Sequence, residues 1–424
     1  MIFSFQNPLP WVPTDGTSLS EAITSDEYFI EKFLNRSDGL FDIQGYQPWI
    51  ALSFLIVSVI TFLIIYKGID TAKYTVYLTV PLPYILITIF FFKGMTLEGN
   101  TIGWKYLFTP DWSKLFTTQI WIDAVSQTLF SAGLGHNTIL KFATHRKESD
   151  KILLSSIVVP ALNFATSIFS AIALFSFVGY ASNKTGTPIE EMPVGGMELV
   201  FVVYPAILSS LPLSTVWSVL FFTMMVALGL CTQYIFIECV SKLIYGTCKY
   251  RKGFNSNPTT VTAILCSFIF ILNILFFSST AGYYWLEVVD HNATAVNLPI
   301  FLFFQIIFFA YLLPLDALVD KVKEAKEEFP KLYRIALKTV CPIFSLLLLA
   351  MIVYQEIDKL TDTSKPLSEK IVGYTIFATP CSLFFIIAIW NPLGSTEDTI
   401  IRSSVYEESK SDSDVKEKLI NQSH

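Results

Sequence analysis

The chain has 424 residues, of which 53% are hydrophobic, 15% aromatic and only 15% charged, with a formal net charge of −6. Soluble domains carry about 25% charged residues, and one water-facing core cannot bury this much apolar surface, so the composition calls for lipid as solvent. A nucleic-acid binder is disfavoured too, because no basic patch with interleaved aromatics occurs.

In chain order, the apolar stub Met1 to Phe5 is too short for a signal peptide or a spanning helix. The polar stretch up to residue 48 follows it. Apolar runs of spanning length, about 20 residues each, then fall at roughly 49–66, 74–93, 119–141, 152–181, 213–240, 260–279, 296–319, 336–355 and 371–390. These nine runs read as helices, since an isolated strand leaves its backbone polar groups unpaired in hydrocarbon. Residues 391–424 are polar, rich in Ser, Glu, Asp and Lys, and read as a disordered tail.

Two signals set the orientation. The gaps after the first, third, fifth and seventh runs are basic: Lys67 and Lys73; Lys141, Arg146 and Lys147; Lys242, Lys249, Arg251 and Lys252; Lys321, Lys323, Lys326, Lys331 and Arg334. Those gaps belong in the cytoplasm by the positive-inside rule. The gaps between them hold Glu190, Glu191, Glu287 and Asp290. Glycosylation sequons at Asn35, Asn183 and Asn292 all fall on the opposite, outer side, whereas Asn421 lies in the inner tail and is expected to stay unused. This places the N-terminus outside and the C-terminus inside. Residues 1–48 would then cross without a signal, so either a short tail is translocated or preceding helices are absent. The six cysteines sit away from outer loops and read as packing residues.

Polar residues and helix breakers inside apolar runs mark candidate pathways. The third run carries Asp123, Ser126, Gln127, Ser131, Gly133, Gly135, His136 and Asn137. Two glycines two residues apart would let the helix unwind at mid-depth, exposing carbonyls to a cation and a half-helix N-terminus to an anion. Close helix packing through small residues is the competing reading. In the fourth run, Asn163 and Ser167 share a helix face. The fifth carries Cys231, Thr232, Gln233 and Glu238. No enzyme signature occurs: the four His lack metal-ligand spacing, and there is no phosphate-binding loop of an ATP-driven pump.

Leu107-Phe108-Thr109-Pro110-Asp111-Trp112-Ser113-Lys114-Leu115, followed by Trp121, Asp123 and Gln127, resembles the neurotransmitter:sodium symporter family. So do Tyr204-Pro205, Leu211-Pro212, Trp217 with Phe221-Phe222, Gly229-Leu230 with Thr232-Gln233, and Lys93-Gly94-Met95-Thr96-Leu97. The resemblance runs from about residue 1 to 390. It implies an all-α, leucine-transporter-like helical bundle over 49–390, with residues 1–48 as the end of a partial helix and a large outer loop. The nine runs would be the family's fourth to twelfth helices, the first two and most of the third being absent.

It further implies a plasma-membrane symporter, not an enzyme, that couples Na+ and Cl− to an amino acid or related amine and uses no organic cofactor. Its partners would be that small molecule and the bilayer, with homo- or hetero-oligomers as a further option. Ser131 and Asn163 match ligands of a first sodium site, and the carbonyl of Leu228 with Cys231 and Thr232 match a second. Cys231 departs from the family's usual oxygen ligand, and a neutral thiol suits a hard cation poorly. Gln127, Ser131, Asn163 and Ser167 match chloride positions. Phe130, Gly133, His136 and Phe236 match the substrate pocket, and Asp290 matches the acidic half of an external gate. Cys231 and the absent helices also fit a different class, a non-transporting membrane subunit.

Overall fold

In a computed structural model, the described residues are 2–6, 8–11, 19, 28–135, 138–139, 151–193, 195–252, 257–312, 319, 330–361 and 366–390. They fall in two compact units, Met1–Asp362 and Thr363–His424. The tail expected beyond residue 390 lies outside the described residues.

The first unit is helical: α1 (Pro48–Ile65), α2 (Ile69–Thr79), α3 (Pro81–Met95), α4 (Asn100–Phe108), α5 (Thr118–Ser131), α6 (Ile152–Thr185), α7 (Tyr204–Ser209), α8 (Ser214–Lys252), α9 (Pro258–Leu272), α10 (Gly282–Asp290), α11 (Asn297–Ile307) and α12 (Cys341–Thr361). In the second unit α13 spans Leu367–Trp390. Seven helical stretches among the described residues are long and apolar enough to cross a bilayer. Five of the expected runs match these closely. The seventh run starts earlier than expected, at Gly282, because α10 continues through a π-helical turn, His291–Val296, into α11. Glu287 and Asp290, expected in a gap, therefore sit on helix.

The third run behaves differently. Its helix, α5, stops after 14 residues at Ser131. Gly133 (φ +67°) and Gly135 (φ +80°) then take the left-handed backbone that side chains disfavour. Of the two readings of this glycine pair, the unwinding is present, and Gly135 is closely packed as well, since a Cβ there would stand 2.6 Å from Leu298 Cδ1.

The proline-led starts of α1, α3 and α9 use the helix position where a missing N–H costs nothing. Helix α6 is 34 residues long and α8 is 39. Helices α3, α6, α7 and α8 bury one aromatic core in which Phe90, Phe177, Tyr204 and Phe221 meet edge to face or stacked. Helix α4 lies directly on α6. A Cβ on Gly103 would overlap the Phe175 carbonyl, and Gly179 faces the Gly103 backbone. With no apolar drive between helices in lipid, such close small-residue contact is what holds them. Trp104 adds a hydrogen bond from its indole N–H to Ser176 Oγ at 2.8 Å. Ile65, Ala72, Tyr234, Ile237 and Cys266 pack a second cluster between α1, α2, α8 and α9.

Near the start of the chain, residues 37–47 are stitched to the turn before α10. Ser37 N–H donates to Thr280 O at 3.1 Å, Gln47 N–H to Ser278 O at 2.7 Å, and Thr280 N–H to Gly45 O at 3.0 Å. The Arg36 guanidinium lies 5.3 Å from the Tyr283 ring and 5.7 Å from that of Tyr284, a cation–π distance.

Candidate ion and substrate site

The break after α5 brings Ser131 against α6. Ser131 Oγ donates to Asn163 Oδ1 at 3.1 Å and accepts from Asn163 Nδ2 at 2.9 Å. This reciprocal pair ties a helix end to the middle of another helix through two polar groups, both of which a lipid-facing position would leave unpaired. One turn on, Ser167 Oγ donates to Asn163 O at 2.9 Å, so Ser131, Asn163 and Ser167 form one cluster. Gln127 lies one turn before Ser131 on α5 and is exposed.

Two oxygens 3.1 Å apart, Ser131 Oγ and Asn163 Oδ1, can both touch one hard cation, since oxygen ligands sit at roughly 2.3–2.6 Å from an ion of Ca2+ size. The same side chains also carry O–H and N–H donors, which suit an anion. The cluster can therefore present acceptors to one ion and donors to another.

The second group lies on α8. Thr232 Oγ1 donates to Leu228 O at 3.1 Å, bringing a hydroxyl and a carbonyl oxygen to one turn. Cys231 is differently engaged: its Sγ lies 3.5 Å from Tyr234 OH, which is also 3.3 Å from Thr79 Oγ1. The thiol is drawn into a side-chain relay between α8 and α2. Thr79 and Tyr234 were missed in the sequence, where a Thr at one helix end and a Tyr in an apolar run carry no signal of being neighbours.

Leu228 and Cys231 also line a cavity of about 440 Å³ whose wall includes Thr79, Tyr84, Thr166 and Met224. Its lining is mostly apolar, as ligand cavities are.

The remaining expected residues are spread out. Phe130, 45% exposed, is the residue before Ser131 on α5. At Gly133, an added Cβ would stand 2.9 Å from Thr138 Oγ1, and that hydroxyl donates to Gly133 O at 3.2 Å, closing the unwound turn. His136 lies outside the described residues. Phe236 is half-buried on α8. Asp290 is exposed at the end of α10 and accepts from Thr294 Oγ1 at 3.3 Å.

Of the three sequons, Asn35 and Asn183 are exposed. Asn292 is placed differently from these two. It lies in a helical turn rather than an outer loop, is only 7% exposed, and donates its side-chain amide to Val288 O at 2.8 Å.

A sequence profile of the sodium:neurotransmitter symporter family matches residues 7–393. The chain belongs to that family. It is similar to a Drosophila melanogaster sodium- and chloride-dependent GABA transporter, 28% identical over 365 residues that cover 83% of this chain and 38% of the relative. It is also similar to the Xenopus laevis sodium- and chloride-dependent glycine transporters 1 and 2. The first is 31% identical over 283 residues, 67% of this chain and 44% of the relative. The second is 29% identical over 300 residues, 70% of this chain and 38% of the relative. The chain spans between 38% and 44% of the length of these relatives. Family membership and the apolar helices make it an all-α, multi-pass membrane protein of a symporter family rather than an enzyme.

Proposed function

We propose that the protein is a plasma-membrane symporter that draws an amino acid or related amine into the cell with Na+ and Cl−. The observation that carries this reading is the reciprocal Ser131–Asn163 pair at the break of α5. It gathers oxygen acceptors and N–H and O–H donors where a helix has unwound, the arrangement a coupled-ion site needs.

In this reading one Na+ is held by Ser131 Oγ and Asn163 Oδ1, and a second by Leu228 O and Thr232 Oγ1. Cys231 offers sulfur in place of oxygen and weakens that second site. Chloride is met by donors of Gln127, Ser131, Asn163 and Ser167, after the Ser167 hydroxyl turns from Asn163 O. Its negative charge offsets that of the neighbouring cation. Substrate lies against Phe130, Gly133, His136 and Phe236, and Asp290 serves the outer gate. Bound Na+ stabilises the outward-open state, and substrate then shifts the population toward closure. The N-terminus lies outside, the C-terminus inside, and Asn35 and Asn183 carry glycans.

The test is uptake of radiolabelled GABA, glycine and a panel of amino acids into cells expressing the chain, and the longest product its coding sequence supports. Uptake is expected in sodium chloride, to be abolished when choline replaces sodium and reduced when gluconate replaces chloride. Asn163→Ala should abolish it while surface expression persists. A second reading, a non-transporting membrane subunit, is favoured by the Cys231 thiol being tied to Tyr234. Absence of sodium-dependent uptake from either product would favour that subunit.

A further inference from the structure

Away from the ion cluster, three polar atoms from two elements form a closed triangle. His291 Nε2, in the π-helical turn after α10, lies 3.1 Å from Glu356 Oε1 and 3.1 Å from Lys359 Nζ. Lys359 Nζ in turn donates to Glu356 Oε1 at 3.1 Å, both residues being on α12. The Glu356 side chain is 15% exposed, while those of His291 and Lys359 are 38% and 41% exposed.

No single protonation state satisfies all three edges. With Nε2 unprotonated, it accepts from Lys359, but its lone pair then faces the carboxylate oxygen of Glu356. With Nε2 protonated, as it must be on the charged ring and is in one tautomer of the neutral ring, it donates to the Glu356 carboxylate, but its N–H then faces the Lys359 ammonium. Either state keeps one bond between the turn and α12. The proton decides which.

We propose that His291 is a proton-binding switch that passes the tether between the 291–296 turn and α12 from Lys359 to Glu356 when it is protonated. The bland alternative is a fixed salt bridge with a bystander imidazole, which predicts no exchange of partners. The proton is the ligand, and an imidazole is the group whose ordinary range lies nearest to neutral pH.

The other titratable groups on the elements packed around the turn are Tyr283, Tyr284, Glu287 and Asp290 on α10, Asp123 on α5, and Cys341, Tyr354 and Asp358 on α12; α11 carries none. Asp290 is occupied by Thr294, and Asp123 accepts from Gln119 Nε2 at 2.7 Å. Gln119 also pairs with Gln355 on α12. This second contact joins α5 to α12 without a titratable group in the linking bond, so it holds in both states. The turn is thus the element whose attachment changes with pH. Its bearing on transport rests on the function proposed above, through the adjacent Asp290, whereas the test below does not.

The experiment is a pH titration of the histidine-labelled full chain in detergent micelles by NMR, with His291 assigned from the resonance lost in His291→Gln. Lys359→Gln removes a cation from beside Nε2 and Glu356→Gln removes an anion, so the two should displace the His291 midpoint in opposite directions. Lys359→Arg retains the charge and should restore the wild-type midpoint. Amide exchange across 288–296, corrected for its intrinsic pH dependence, should change through that midpoint in the wild type and stay flat in His291→Gln. A midpoint unmoved by both charge-removing variants, or the same exchange profile in His291→Gln, would overturn the proposal.

Discussion

In the proposed second sodium site, Cys231 stands where an oxygen would serve the ion better, and its sulfur is turned toward Tyr234 OH. Replacing it with Thr restores a hard oxygen to the turn that already carries Leu228 O and Thr232 Oγ1. Sodium-activation curves of uptake should then shift to several-fold lower sodium in Cys231→Thr, while Cys231→Ala leaves the curve unchanged or weaker. An acidic residue between α4 and α5 gives a local test of a different kind. Asp111 accepts from Ser113 Oγ at 2.6 Å and from Ser113 N–H at 3.1 Å, capping the turn Trp112–Phe116. Those bonds, the side-chain one foremost, hold its carboxyl below the ordinary carboxylate value. A depressed folded value means the cap is at full strength above the unfolded value of about 3.9 and is lost as pH falls through the folded one. Ser113→Ala should bring the Asp111 titration back up, read by NMR of the carboxyl carbon.

At the scale of elements, the α4–α6 crossing and the α5 break make opposite demands on glycine. Gly103 is needed for proximity, because any Cβ would strike the Phe175 carbonyl. Gly103→Ala should therefore destabilise the protein by about 1–3 kcal/mol through overpacking, seen as earlier thermal unfolding in detergent. Gly246, on α8 with nothing within 4 Å of its Cβ, is the control: Gly246→Ala should be neutral or gain about 0.5–1 kcal/mol from helix propensity. Gly133 is needed for its conformation, φ +67°. Forcing a side chain there costs roughly 1–2 kcal/mol and presses on Thr138, so Gly133→Ala should lower uptake more than it lowers expression.

The apolar runs of α1, α3, α6, α8 and α9 were legible because burial in lipid writes long, nearly charge-free segments into the sequence. The glycine pair marked a candidate break, because only glycine supplies left-handed backbone cheaply, but close packing read equally well from the same residues. The pairing of Ser131 with Asn163 came from family resemblance, since side-chain contacts 32 positions apart leave no periodic trace. The relay Thr79–Tyr234–Cys231 and the triangle around His291 were invisible for the same reason. The burial of Asn292 was not legible, because a sequon reports chemistry and not packing: a short polar interval between two apolar runs reads as a loop, yet the chain continues it as helix.

For the whole molecule, the arrangement predicts which sequons are used. Glycosidase digestion of Asn35→Gln and Asn183→Gln should each show the loss of one glycan, and Asn292→Gln should migrate as the wild type does. The lengths of α6 and α8 reach further. At 1.5 Å per residue, 34 residues extend about 51 Å, against roughly 30 Å of hydrocarbon. Neither helix can stand upright and stay wholly within the oil. Each must lean or stand proud of the bilayer, and the balance shifts with membrane thickness at fractions of a kcal/mol per ångström. Because α6 carries Asn163 and α8 carries Leu228 and Thr232, a thicker, sterol-rich membrane would draw these posts inward and a thinner one would let them project. The lipid environment would thereby act as a mechanical setting on the residues of the proposed ion sites.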